Sequence, residues 1–137
     1  MFTSVSGAND KDGGNVLTVR GLRGATTIAS DNEQDVLQAT GVLVQEMAQA
    51  NHVLPEDIVS VLISTTADIQ SAFPAKAVRS IEGWKYVPVM CTHEMNVPGG
   101  MPLCIRILLH ANCTIPQKNI IHIYQNEAVK LRPDLQK

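Results

Sequence analysis

The order in which strand patterns and helix patterns follow one another constrains the fold of this chain most. Residues Leu17–Thr27 alternate with the period of two that is typical of a β-strand. Apolar residues then recur at helical spacing over Val36–Ala50, and Ser30–Glu33 just before them matches a capping box that begins a helix. The other predicted elements are a helical turn at Pro55–Asp57, a second helix at 73–81, and strands at 58–66, 87–91, 103–109 and 120–124. This β-α-β-α-β-β-β order predicts an α/β (α+β) fold, a mixed β-sheet with helices packed on it.

Two of these strands carry further detail. The run 58–66 is nearly continuous in apolar residues, which predicts a strand covered on both faces. Pro88 cannot donate a backbone hydrogen bond, so the strand that contains it should lie at an edge of the sheet or begin there.

The composition excludes several classes of protein. The 137 residues are 45% hydrophobic with a formal net charge of −2, which suits one compact domain. No apolar run approaches the ~20 residues of a membrane helix, and a slightly acidic chain with one Trp, two Tyr and two Phe is poorly suited to nucleic acid. Three cysteines without C-x-x-C spacing favour a reducing compartment. We therefore expect a soluble, cytoplasmic protein with no nucleic-acid or membrane partner.

The two ends of the chain differ from the rest. Residues 1–16 are rich in Gly, Ser, Asn and Asp and cannot bury enough surface to offset their ordering entropy. We expect a flexible N-terminal arm at 1–16 and one domain over 17–137. The tail 129–137 contains Pro133 and shows no period, so it should be mobile.

Arg106 is the most unusual residue of the predicted sheet. It lies in the middle of an apolar strand, where Cys104 and Leu108 flank it on its own face. A buried guanidinium without a partner is very costly. Arg106 must therefore meet either an internal carboxylate, such as Glu82, or an anionic ligand, and its pattern alone does not decide between them.

A few other polar residues could accompany it, although each also has an ordinary structural explanation. Arg23 ends the first strand beside Gly24, which would let backbone or ligand approach closely. Lys76 and Arg79 share a helical face, and Tyr124 shares a strand face with His122.

Metal and nucleotide chemistry are not favoured. Cys91, His93 and Cys104 do not make the four well-placed ligands of a zinc site. The phosphate-binding, dinucleotide-binding and serine-nucleophile motifs are absent from the sequence. The arginines, with one carboxylate at Glu94, one tyrosine and one cysteine, suit a small molecule with several negative charges and need no metal or cofactor.

Five segments in this order closely resemble the AroH-type chorismate mutases. They are Val19–Thr27, Phe73–Arg79, Gly83–Val89, Glu94–Val97 and Leu131–Leu135. The resemblance runs from about Thr18 to Leu135 and implies a homotrimer whose sheets form a pseudo-α/β-barrel, with active sites at the subunit interfaces. It also implies the Claisen rearrangement of chorismate to prephenate, an isomerase reaction of the shikimate pathway in aromatic amino acid biosynthesis.

The resemblance also assigns roles at the reacting bond. Arg106 would be the main catalytic residue beside the breaking ether bond, and Glu94 would hold the ring hydroxyl with help from Cys91. Met90 stands where the family often has a small polar residue. It would line the pocket, and its larger side chain would change the shape of that pocket.

The remaining assignments concern the two carboxylates of chorismate. Arg23 and Tyr124 would bind one of them. The residues that would come from the neighbouring subunit, with Arg79 near the second carboxylate, are Phe73, Ala75, Lys76 and Arg79. Leu131 and Arg132 lie in a tail that tends to become ordered around ligand in the family.

Two other functions remain open on the residues alone. A non-catalytic trimer could bind a small anionic metabolite in the same clefts, and it would bind chorismate without forming prephenate. An imine deaminase has a similar trimeric fold, but its characteristic arginine context is not visible here, and Glu94, Arg106 and Tyr124 would have no clear role in it.

Overall fold

A computed structural model describes residues 16–131 of the chain. Its helices and strands are, in order, β1 (Thr18–Thr27), α1 (Glu33–Ala50), β2 (Ile58–Thr65), α2 (Ala75–Arg79), β3 (Val89–His93), β4 (Cys104–Cys113) and β5 (Ile123–Tyr124). Short 3-10 helices occupy Pro55–Asp57, Gln117–Asn119 and Asn126–Leu131. The predicted element order is confirmed. The expected arm, apart from residue 16, and the end of the expected mobile tail, 132–137, lie outside the described residues.

The five strands form one mixed sheet in the order β3-β2-β4-β1-β5. The central strand β4 runs antiparallel to both β1 and β2, while β3 is parallel to β2 and β5 is parallel to β1. Pro88 immediately precedes β3, which is an edge strand, as its missing amide hydrogen predicted.

One face of the sheet carries the core. Leu22, Ile63 and Leu109 from the strands pack against Val36 and Leu43 of α1, and all five side chains are fully buried. Within residues 16–131, no helix combines the length and the apolar character needed to cross a bilayer.

The other face of the sheet is open in the single chain. Val59 and Leu62 of β2 are 45% and 40% exposed, so the predicted coverage of both faces is wrong for the isolated chain. The reason is that α1 covers only the side to which Ile63 points. Gly24 faces that covered side, where an added Cβ would overlap the sulfur of Met47. Its small size therefore serves the approach of the helix rather than that of a ligand.

Two predicted boundaries differ from the observed ones, one because of a local cap and one because of a long-range contact. Asn32, not Ser30, caps α1, because its Oδ1 accepts from the Asp35 amide at 2.8 Å while the Ser30 hydroxyl accepts from its Nδ2 at 2.9 Å. The last strand is shorter than predicted, since the backbone of Ile121 is bound to the side chain of Asn51 instead of a neighbouring strand.

The second helix is also shorter than predicted. It covers only Ala75–Arg79. Before it, the carbonyls of Phe73 and Pro74 accept from amides three residues later in the chain. It stops at Ser80, whose hydroxyl donates to the carbonyl of Lys76 at 2.7 Å. Such a bond to the preceding turn competes with continued helix.

Candidate active site

Arg106 lies on the open face of β4, between Ser64 of β2 and Ala25 of β1. Its Nε donates to Oε1 of Glu94 at 2.9 Å. The backbone amide of Glu94 donates to the carbonyl of Thr65 at 2.8 Å, which fixes the carboxylate just beyond the end of β3. Arg106 thus pairs across β2 with a residue that follows the edge strand β3.

This placement corrects two expectations about Arg106. The carboxylate that pairs with Arg106 is that of Glu94 and not that of Glu82. Glu94 directly follows β3, which lies in the same sheet as β4, whereas Glu82 lies in the loop after α2. The guanidinium is also less buried than its apolar strand suggested, since the Arg106 side chain is 44% exposed and that of Glu94 is 22% exposed. A half-exposed ion pair remains accessible to a charged ligand.

Two clefts meet at Arg106 and Ser64. One, of about 860 Å³, is lined by Glu94 and by residues 95–97 and 100–102. The other, of about 620 Å³, is lined by Arg23, Tyr124 and Leu131. Arg106 contributes to both, so the structure brings four residues of the predicted site, namely Arg23, Arg106, Tyr124 and Leu131, to one cleft and joins Glu94 to it from the adjacent one.

The strand register explains why these side chains converge. Ala25 pairs with Arg106 on one side and with Tyr124 on the other, so Arg106 and Tyr124 lie on the two strands that flank the same position of β1. Arg23, two residues earlier on β1, is exposed at the same cleft. The cleft therefore carries two cationic side chains and a phenol.

Asp68 supports the wall of the Arg106 cleft, although no sequence pattern singled it out. Its two carboxylate oxygens accept from the amide of Leu103 at 3.0 and 3.2 Å, and one accepts from the hydroxyl of Thr66 at 2.6 Å. Leu103 needs this support because its φ is +49°, a conformation that side chains other than glycine's rarely adopt. Contacts of this kind span 35 residues and leave no local signal.

The cysteines lie apart from this cleft or in the core. Burial raises the pKa of the Cys104 thiol, against the opposing effect of the Arg106 charge, and the side chain is fully buried. Cys91 pairs in register with Ile63, on the helix-covered side of the sheet. Within residues 16–131, no three His, Cys, Asp or Glu side chains form a group that could hold a metal ion.

A third cleft, of about 400 Å³, contains Cys91 together with Phe73. Phe73 is 77% exposed, an unusual position for a large apolar ring. Neither residue lines the clefts at Arg106, so the chain by itself does not bring Cys91 to Glu94 or Arg106.

The residues of α2 also lie away from Arg106. Lys76 forms an exposed ion pair with Glu33 at 3.4 Å, Arg79 is exposed, and Ala75 is buried. Met90 is exposed on β3 and is absent from the lining of the Arg106 clefts. Arg132 lies outside the described residues.

Comparisons with known proteins agree on one family. A family model described as chorismate mutase type I matches residues 19–135. The chain is 47% identical over 119 residues to chorismate mutase AroH of Bacillus subtilis, covering 87% of this chain and 94% of the relative. It is 43% identical over 119 residues to chorismate mutase AroH of Thermus thermophilus, covering 86% and 97%. A solved chorismate mutase from Clostridium thermocellum superposes with a TM-score of 0.76 at 38% identity, covering 79% of this chain and 96% of that one.

Proposed function

The chain belongs to the type I chorismate mutase family, and we propose that it rearranges chorismate to prephenate at a site centred on Arg106. It is an isomerase of aromatic amino acid biosynthesis. The observation that carries the proposal for the site is the Arg106 guanidinium at the junction of two clefts, with Glu94 on one side and with Arg23 and Tyr124 on the other.

The chemistry requires little more than shape and charge. A Claisen rearrangement is pericyclic and needs no nucleophile, proton transfer or metal. The protein accelerates it by holding the compact conformer and by stabilising the charge that grows as the C–O bond breaks. Negative charge collects on the ether oxygen, so a fixed cation there interacts more strongly with the transition state than with chorismate.

Arg106 is the group that supplies this cation. Its bond to Glu94 is made through Nε and orients the guanidinium, which also carries two terminal nitrogens. Those nitrogens then donate to the ether oxygen, while Glu94 accepts from the ring hydroxyl of chorismate. A preorganised donor of this kind contributes about 3–4 kcal/mol to the transition state.

The carboxylates of chorismate are bound by the cationic ends of the site. Arg23 and Tyr124 hold one of them, because both line the cleft into which Arg106 points. Arg79 of a neighbouring subunit holds the second, with Phe73, Ala75 and Lys76 beside it. We assign Leu131, which borders the same cleft as Arg23, to substrate binding together with Arg132.

A homotrimer is the assembly that completes this site. Leu62 and Met90 are exposed on the uncovered side of the sheet and on its edge, and large apolar side chains in those positions favour a protein interface. Cys91 and Phe73 share a cleft that is separate from that of Arg106. We therefore assign Cys91, with Met90 next to it, to the same neighbouring subunit as Phe73.

Chorismate and two further copies of the chain are the only partners that this proposal needs. The described cysteines are free thiols, which is the usual state in a reducing compartment. We propose a cytoplasmic location on that ground.

The experiment that tests the reaction follows the ultraviolet loss of chorismate and the appearance of prephenate without added metal. We expect Arg106→Ala to lower kcat roughly 10²- to 10³-fold, the equivalent of one electrostatic donor, with a much smaller change in the Kd of chorismate. Lys118→Ala removes an exposed charge outside these clefts and should behave as wild type. Binding of chorismate by the wild type without prephenate formation would contradict the proposal and favour a metabolite-binding protein.

The interface is tested by mixing two variants that are each impaired, Arg106→Ala in kcat and Arg79→Ala in the binding of chorismate. Arg79→Ala and Arg106→Ala damage opposite sides of the same site, so unfolding and refolding them together creates some sites with neither change. Random assembly restores roughly one quarter of the sites in an equimolar mixture of a closed ring. No recovery of activity, with mixed trimers present, would contradict the assignment of Arg79 to the neighbouring subunit.

A further inference from the structure

We propose that His122 is a positioning residue for chorismate binding, because its imidazole holds the backbone of Arg23 at the cleft. The amide of Arg23 donates to Nδ1 of His122 at 2.9 Å, across 99 residues of sequence. The inference rests on the proposed function in one respect, namely that Arg23 binds a carboxylate of chorismate.

The imidazole extends a very short strand pairing. Strand β5 pairs with β1 only at Gly24 with Ile123 and at Ala25 with Tyr124, and the amide of Gln125 donates to the carbonyl of Ala25 at 2.9 Å. At the next position back along β1, a side-chain nitrogen takes the place of a backbone carbonyl as the acceptor for Arg23. Without His122 the pairing would end at Gly24 and would not reach Arg23.

The backbone just before His122 is itself fixed. The buried carboxamide of Asn51 accepts from the amide of Ile121 at 2.8 Å and donates to its carbonyl at 2.9 Å. His122 therefore follows a residue whose backbone is anchored to Asn51 at the end of α1. The imidazole links that anchor to Arg23, and two residues later the same segment delivers Tyr124 to the cleft.

The hydrogen bond to His122 fixes the backbone from which the Arg23 side chain extends, and it takes no part in the reaction itself. Arg23 is exposed and has a long side chain, so its guanidinium is placed by its backbone more than by packing. A carboxylate contact that is equally strong in chorismate and in the transition state affects KM and leaves kcat unchanged. Loss of the His122 contact should therefore appear in KM.

The hydrogen bond also specifies the state of the imidazole. A backbone amide can only donate, so Nδ1 of His122 must be unprotonated to accept from Arg23, and in the neutral ring the proton then resides on Nε2. Nitrogen-15 spectra of the histidine rings read this tautomer directly and do not depend on activity. A proton on Nδ1 of His122 at neutral pH would overturn the inference.

The kinetic test uses two variants of similar size. His122→Leu removes the acceptor, while His122→Asn keeps one, because its Oδ1 is attached at the position of Nδ1. We expect His122→Leu to raise KM for chorismate about two- to tenfold, the usual effect of one hydrogen bond, with kcat within about twofold of wild type. His122→Asn should restore most of the wild-type KM.

A double variant separates this inference from the proposed function. In an Arg23→Ala background, His122→Leu should cause no further rise in KM, since it acts only through Arg23. An equal rise in both backgrounds, or equal KM values for His122→Leu and wild type, would overturn the role of His122 alone. If Arg23→Ala itself leaves KM unchanged, the carboxylate role given to Arg23 in the proposed function is wrong, and the positioning role fails with it.

Discussion

The largest stability effect that we expect from one polar substitution is at Asn51, where α1 ends. Its carboxamide is almost fully buried and makes three hydrogen bonds, two with the backbone of Ile121 and one to the carbonyl of Met47 at 2.9 Å. At ~1 kcal/mol for each bond, Asn51→Ala would lower the free energy of unfolding by about 3 kcal/mol. Water that enters beside the exposed Ile121 recovers part of this, which gives about 2–3 kcal/mol.

The other end of the same helix supplies a matched control. Asn32→Ala is the same change, but Asn32 is exposed and caps α1 through one bond, to the amide of Asp35. It should cost about 1 kcal/mol. Asn51→Asp keeps the acceptor for the Ile121 amide and removes both donors, so it should destabilise the protein at neutral pH as well.

Urea unfolding followed by circular dichroism measures these differences by linear extrapolation. All variants must be compared at one protein concentration, because dissociation of an oligomer is linked to unfolding. If Asn51→Ala costs no more than Asn32→Ala, then the three buried bonds do not stabilise the fold in the way their geometry suggests.

Three further outcomes follow from the geometry. Gly24→Ala should destabilise the protein by about 1–2 kcal/mol, because the added methyl group crowds α1. Gly21→Ala on the same strand is the control, since its added Cβ would meet its nearest atom at an ordinary 3.7 Å. Equal urea midpoints for the two variants would contradict this prediction. Hydrogen bonds from the Ser71 side chain and from the Gln70 and Ser71 amides hold the pKa of Asp31 below the ordinary aspartate value of 3.8. The stability that Asp31 contributes is therefore present above that pH and lost as the pH falls through the lowered value, so the difference between wild type and Asp31→Ala in acid titrations should shrink below 3.8, and a constant difference would refute it. Burial raises the pKa of Cys104, so a thiol reagent should modify the half-buried Cys91 first and Cys104 only on unfolding, which mass spectrometry of the alkylated peptides would show.

The local periodicities of the sequence determined the order and type of the elements. Strand β1 and helix α1 each carry a pattern that repeats over at least ten residues, and both were predicted close to their observed bounds, whereas β4 was predicted to end at 109 and extends to Cys113. Short elements were predicted less well, because α2 and β5 have too few residues for a period, and their ends are set by contacts with other parts of the chain.

The sequence also indicated that Arg106 needs a partner, since a cation in an apolar strand is costly wherever the strand lies. It did not indicate which carboxylate that partner is. Glu94 and Glu82 are both within 25 residues of Arg106, and only the pairing of β3 with β2 and of β2 with β4 brings Glu94 to it. The family resemblance supplied the roles of these residues, which strand patterns alone could not.

Tertiary structure alone decided the contacts that place the site. The bond from Arg23 to His122 spans 99 residues and that from Ile121 to Asn51 spans 70, and neither leaves a signal in local composition or period. The separation of Cys91 from Arg106 likewise depends on which side of the sheet each side chain occupies. Periodicity reports how a segment divides its residues between two faces, whereas strand register and chain topology determine which residues from distant segments those faces meet.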